Sequence, residues 1–180
     1  MADLATKAGG KALVFVRQLS KEADMVGTKV AYQTTYSYKL SRDSKSEDTK
    51  NGKVQKGGAL DGTISLEMLS SNQDVLNDIE GAVIDNKKVE FWIVYTDTPG
   101  SKSGTYEARY MIAGITSHEE TGDSDNSVSV KIEASIDDGY ARKGEVTLSI
   151  DDNDDTSYGF KDLGKVTNSE QSSSASAPTK

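Results

Sequence analysis

Period-two alternation of apolar and polar residues, repeated in several separate stretches, is what most limits the folds open to this chain. From Thr28 to Leu40 the even positions read Thr28, Val30, Tyr32, Thr34, Tyr36, Tyr38 and Leu40; the odd ones read Lys29, Ala31, Gln33, Thr35, Ser37 and Lys39. Successive side chains of a strand point to opposite faces, so one face is aliphatic and aromatic and the other polar. Leu60, Ile64, Leu66 and Met68 alternate in the same way with Asp61, Thr63, Ser65 and Glu67. So do Val128, Val130, Ile132, Ala134 and Ile136 with Ser127, Ser129, Lys131, Glu133 and Ser135, and Val146, Leu148 and Ile150 close the series. Further strands are expected at Lys11–Leu19, Lys88–Thr96 and Thr105–Ser117, the last bulged at Gly114.

One segment changes period. Val75, Leu76, Ile79, Ala82 and Val83 fall on a single helical stripe, with Ser71 or Asn72 as N-cap and Asp74 favourable in the first turn. A helix over about residues 73–84 must cover one face of the sheet system. The expected fold is mainly β, a sandwich or partly closed barrel with one flanking α-helix. Residues 41–58 have almost no apolar content and separate two alternating strands, which reads as a long polar hairpin loop. The chain divides into an N-terminal arm (1–9), one β domain (10–166) and a Ser-rich tail (167–180) expected to be flexible.

With 180 residues the chain is long enough for one proper core, and it contains no cysteine, so disulfide frameworks and thiolate metal sites are excluded. The N-terminus lacks the basic and apolar regions of a signal peptide, and the apolar run Phe91–Tyr95 is far too short to cross a bilayer. Synthesis in the cytoplasm is the expectation. A net charge of −8 argues against tight binding of nucleic acid, which needs clustered Lys and Arg.

No set of residues suggests catalysis or a cofactor. His118, the one histidine, stands beside Glu119 and Glu120 and reads as an exposed residue at a strand end. Asp151, Asn153 and Asp155, followed by Asp162, echo the oxygen spacing of a calcium loop; Thr156 stands where the turn needs glycine and no helices flank it. An acidic turn is the preferred reading of that segment. The glycines form no phosphate-cradling motif between strand and helix.

Short pieces in order along the chain resemble the major tail protein family of long-tailed, non-contractile phages of Gram-positive bacteria. Gly10-Lys11-Ala12-Leu13-Val14-Phe15-Val16-Arg17 is similar to the family's opening strand, and Val30-Ala31-Tyr32-Gln33-Thr34 to its second. Thr49-Lys50-Asn51-Gly52 lies in the polar loop that follows. Lys88-Val89-Glu90-Phe91-Trp92, Tyr106-Glu107-Ala108-Arg109-Tyr110 and Gly114-Ile115-Thr116-Ser117 resemble later strands; Gly144-Glu145-Val146-Thr147-Leu148 and Phe160-Lys161-Asp162 resemble the closing elements. The resemblance covers about residues 10–165; the acidic run 151–155 and the Ser-rich tail depart from it.

The resemblance implies a β-sandwich subunit of hexameric rings that stack into a tail tube, a conduit for DNA that passes without specific binding. It implies a place in the virion tail, assembly in the host cytoplasm, and partners that include tape measure, tail terminator and distal tail proteins. By the same analogy Lys29, Gln33, Lys39, Asp61, Thr63 and Glu67 face the lumen. Arg42, Asp43, Lys45, Glu47, Asp48, Lys50, Lys53 and Lys56 reach the neighbouring ring, and the arm Ala2–Gly9 works between subunits. The alternative class is a secreted or surface β-sandwich binding module, calcium-dependent through Asp151–Asp155.

Overall fold

The computed structural model describes residues 6–71 and 74–148. Its strands are β1 (Ala12–Gln18), β2 (Thr28–Lys29), β3 (Gln33–Thr49), β4 (Gly52–Leu69), β5 (Lys88–Pro99), β6 (Thr105–Thr121), β7 (Ser129–Ile136) and β8 (Arg142–Thr147). The one α-helix among the described residues, α1 (Asp74–Ile84), connects β4 to β5. All strand pairs are antiparallel and join into one sheet in the order β2-β1-β5-β6-β7-β4-β3, with β8 added beside β6.

Strand β6 is the hinge of this sheet. Its first half pairs with β5 and β8, and its second half, from Ala113 to Thr121, pairs with β7. Two half-sheets result, β2-β1-β5-β6-β8 and β6-β7-β4-β3, sharing one strand. The far ends of the order also approach each other. The Val14 N–H donates to Gln33 Oε1 at 3.0 Å, and the Val30 N–H donates to the Val14 carbonyl at 3.0 Å. No strand ladder joins β1 to β3 among the described residues, so the sheet curls without closing into a barrel.

The curl encloses the main core. Val14 and Val16 from β1, Ile64, Leu66 and Met68 from β4, Phe91 and Ile93 from β5, and Val130, Ile132 and Ala134 from β7 are buried together. Helix α1 adds Val75, Ile79 and Ala82, the stripe its 3.6-residue spacing requires. A smaller cluster on the opposite face of β5 holds Trp92, Val94, Ala108, Tyr110 and Val146. Strand β5 therefore has both faces covered, which is why its apolar run is continuous rather than alternating. A Cβ at Gly62 would strike the backbone carbonyl of Gly139, so the turn after β7 lies directly on β4 there.

Three local expectations are corrected. The stretch 28–40 is not one strand: Tyr32 adopts a left-handed backbone (φ 53°), and a bulge follows between Gln33 and Thr35. The two irregularities leave Tyr36 and Tyr38 on the core side while Tyr32 itself is exposed. The bulge in β6 falls between Ile115 and Ser117, whereas Gly114 pairs regularly with Lys88 and Ser135; the irregularity marks where β6 has changed partners. Residues 41–58 are not a loop but the outer parts of β3 and β4, laddered from Arg42↔Leu60 to Thr49↔Gly52 around a two-residue turn, Lys50-Asn51. Both faces of this ribbon are wet, so no apolar period betrays the strands. The turn is closed instead by Thr49, whose Oγ1 donates to the Gly52 carbonyl at 2.6 Å.

Candidate functional site

The register of the half-sheet β3-β4-β7-β6 places its outward side chains in rows. One row is Thr35, Glu67, Lys131 and Glu119; the next is Ser37, Ser65, Glu133 and Ser117. A third begins Lys39, Thr63, Ser135, and Ser41 stands opposite Asp61 beyond it. The opposite side of the same strands carries Ile64, Leu66, Met68, Val130 and Ile132, all buried. The outward face is thus made of hydroxyls with two lysines, Lys39 and Lys131, against four carboxylates, Asp61, Glu67, Glu119 and Glu133. Lys131 Nζ lies 3.1 Å from Glu133, and that hydrogen bond, helped by Glu67 and Glu119, raises its pKa. The lysine therefore stays charged and offsets part of the local acidity.

Of the six residues expected on one polar face, Lys39, Asp61, Thr63 and Glu67 come together here. Lys29 lies on β2, paired opposite Phe15 at the far end of the sheet order. Gln33 pairs opposite the buried Met68 and gives its amide oxygen to Val14. The break at Tyr32 sets Lys29 apart from the rest, and the bulge between Gln33 and Thr35 sets Gln33 apart. Lys131, Glu133 and Glu119 belong to the face as well. The odd-numbered positions of 127–135 already read as polar, but only the β4–β7 register brings them beside Glu67.

Arg42, Asp43, Lys45, Glu47, Asp48, Lys50, Lys53 and Lys56 all lie on the projecting ribbon, and every one is exposed. Beyond Asp61 only β3 and β4 pair with each other; β7 has already ended its pairing at Thr63. The ribbon's paired stretch is eight residues long on β3, about 26 Å at ~3.3 Å per residue. An isolated two-stranded ribbon is marginal in water, so packing against another surface would stabilise this one.

Among the described residues both outer edges of the four-stranded unit lack a laddered neighbour. Strand β3 forms a ladder only with β4 among the described residues, and the end of β6 beyond Gly114 only with β7. Long unpaired edges invite strands from another chain.

At the N-terminus the start of the chain is held on β5 and β6. The Ala8 N–H donates to Asp97 at 2.7 Å and depresses that carboxyl's pKa; Lys7 pairs with Glu107 at 2.7 Å and sits over the Tyr95 ring. His118 pairs opposite Ile132 near the end of β6 and is partly covered. Asp151, Asn153, Asp155 and Asp162, the acidic run and the Ser-rich tail lie outside the described residues, as do Ala2–Ala5 of the arm and Asn72.

Among known proteins, residues 6–142 match the family described as phage tail tube protein. A tail protein of Staphylococcus phage phiMR25 is 28% identical over 102 residues, 55% of this chain, and the chain spans about half (52%) of that relative's length. The tail tube of phage SPP1 superposes with a TM-score of 0.67 at 19% identity, covering 77% of this chain and 78% of that one. A tail subunit of a gene transfer agent particle, described with C6 symmetry, gives 0.57 at 13% identity over 73% and 94% of the two chains. At such identities these two structures speak for the fold, and the family match speaks for descent. The chain belongs to the phage tail tube protein family, a structural component of the virion tail and not an enzyme.

Proposed function

We propose that copies of this subunit close side by side into rings, six to a ring, which stack into the hollow tube through which phage DNA leaves. The observation that carries the reading is the strand order β3-β4-β7-β6 with a free edge at each side. Directions alternate along it, so β6 of one copy and β3 of the next would meet antiparallel. Repeating the unit therefore continues one antiparallel sheet, and closing it into a barrel removes both free edges of the four-stranded unit. The C6 symmetry of the gene transfer agent tail supports six as the number.

In such a ring the outward face becomes the wall of the bore, with Lys39, Asp61, Thr63, Glu67, Glu119, Lys131 and Glu133 lining it. Four carboxylates against two lysines repel phosphate, and the hydroxyl rows offer no cationic track on which DNA would stick. Lys29 and Gln33 would then sit at the rim, by the crossing from β2 to β3. The subunit's partners are itself and the proteins that set tube length and cap its ends, of tape measure, tail terminator and distal tail type, with assembly in the host cytoplasm.

The chain has no cysteine, so engineered disulfides report without background. One cysteine replaces Ser37 on the β3 edge, and a second replaces Ser117, Glu119 or Thr121 on the β6 edge, one variant at a time. Edge pairing brings Cα atoms to about 5.5 Å, within disulfide reach. At least one combination is expected to give, on oxidation, a ladder of covalent oligomers that ends at the closed ring. Absence of any ladder in all three would overturn the edge pairing.

A further inference from the structure

We propose that the cationic face of the β3–β4 ribbon docks on the acidic β6–β7 turn of a second copy of this chain placed end to end with the first. The inference rests on the tube reading above and names the surface that receives the ribbon.

The two surfaces lie at opposite ends of the same strands. Strand β4 runs from Gly52 at the ribbon tip to Leu69, which pairs with Ser129 where β7 leaves the β6–β7 turn. Seventeen steps of ~3.3 Å separate them by about 56 Å. Two different patches at the two poles of one subunit make a head-to-tail contact, the kind that propagates into a filament.

On the ribbon, Lys45 stands directly opposite Lys56, and Glu47 opposite Val54, on one face. Like charges directly across a strand pair are destabilising, so this arrangement is costly unless something acidic covers it. Glu47 takes Lys56 at 2.7 Å, while Lys45 has no ion-pair partner among the described residues. Val54 is 49% exposed between them, an apolar spot that also calls for cover. Across residues 42–57, Arg42, Lys45, Lys50, Lys53 and Lys56 stand against Asp43, Glu47 and Asp48, five charges to three.

The other pole has the opposite sign. From Glu119 to Val128 the chain carries Glu119, Glu120, Asp123 and Asp125 with no lysine or arginine. Among the described residues none of the four enters an ion pair, although Glu119 stands opposite Lys131 in the ladder; the Asp123 carboxylate accepts a hydrogen bond from Asn126 at 3.4 Å. Both termini of the turn are anchored in β6 and β7, and the Ser70 N–H holds the Val128 carbonyl at 2.8 Å, so the carboxylates are presented on a fixed base.

The test is a charge swap in the full chain. One variant carries Lys45→Glu with Lys56→Glu, a second Asp123→Lys with Asp125→Lys, and a third all four changes. Every position is exposed, and thermal melts monitored by circular dichroism confirm that each variant folds. Tube formation is read by negative-stain microscopy, and ring closure by the edge disulfides described above. Each two-site variant is expected to lose stacking by about tenfold or more while still closing rings, and the four-site variant to regain tubes. Wild-type tubes are expected to shorten as salt screens the contact. Tubes unaffected by either reversal, or no recovery in the four-site variant, would overturn the docking while leaving the ring intact. Such non-recovery together with loss of affinity for duplex DNA would assign the ribbon to phosphate instead. Wild-type protein that closes no ring would refute the tube reading itself.

Discussion

Replacing Glu90 with alanine is expected to destabilise the subunit by about 3–5 kcal/mol, the cost of stripping the partner from a buried charge. Arg17 Nε lies 2.7 Å from Glu90 Oε2, and neither side chain is exposed at all. The other carboxylate oxygen accepts the Tyr110 hydroxyl at 2.8 Å. Burial, reinforced by that carboxylate, pushes the Tyr110 phenol far above its usual range, so it remains a neutral donor. Arg17 also donates to the Met25 carbonyl at 3.0 Å and lies over the Trp92 ring at 5.1 Å. Alanine at 90 would take the carboxylate away from a buried guanidinium and a buried phenol. Against a total stability of about 5–15 kcal/mol the loss is severe. Chemical denaturation of the variant should show the midpoint shift; a change below about 1 kcal/mol would mean that water reaches the site and the pair does little. The double change Arg17→Met with Glu90→Leu is expected to recover much of the loss, because the desolvation cost of both charges disappears with them.

Deleting Asp43–Gly57 is expected to abolish the tube and leave the fold. The deletion joins Arg42 to Gly58, so that Gly58-Ala59 forms a two-residue turn inside the Arg42↔Leu60 pair, a length suited to antiparallel strands. None of the removed residues belongs to the core, and all are exposed. The melting temperature should therefore move by only a few degrees, a change of about 1 kcal/mol. Tube formation, judged by microscopy, should fall to nothing because the reach from one ring to the next is gone. Tubes of normal length from this variant would show that the ribbon is dispensable for stacking.

What the residues alone reveal about this fold follows from how local each cause is. Helix α1 is visible because Val75, Ile79 and Ala82 repeat at helical spacing, and β7 because Val130, Ile132 and Ala134 alternate with polar neighbours. The ribbon is invisible as strands because alternation records a buried face, and it has none. The break at Tyr32 is hidden because the kink and the bulge after it cancel, so Val30, Tyr36 and Tyr38 keep one side although Tyr32 leaves it. The buried pair of Arg17 and Glu90 is concealed by partnership across 73 residues of sequence. Four of the seven residues named on the polar face are legible on the same terms. Lys39, Asp61, Thr63 and Glu67 lie within one hairpin, whereas Lys131, Glu133 and Glu119 join them only through the long-range β4–β7 and β6–β7 pairings.

The tube itself is the central claim, and electron microscopy of the purified full-length protein over a concentration series tests it most directly. The account predicts hollow rings at low concentration, with sixfold end views, and tubes of uniform bore that lengthen as concentration rises. Particles no larger than one subunit at every concentration, including in the presence of sheared tails as seeds, would contradict it.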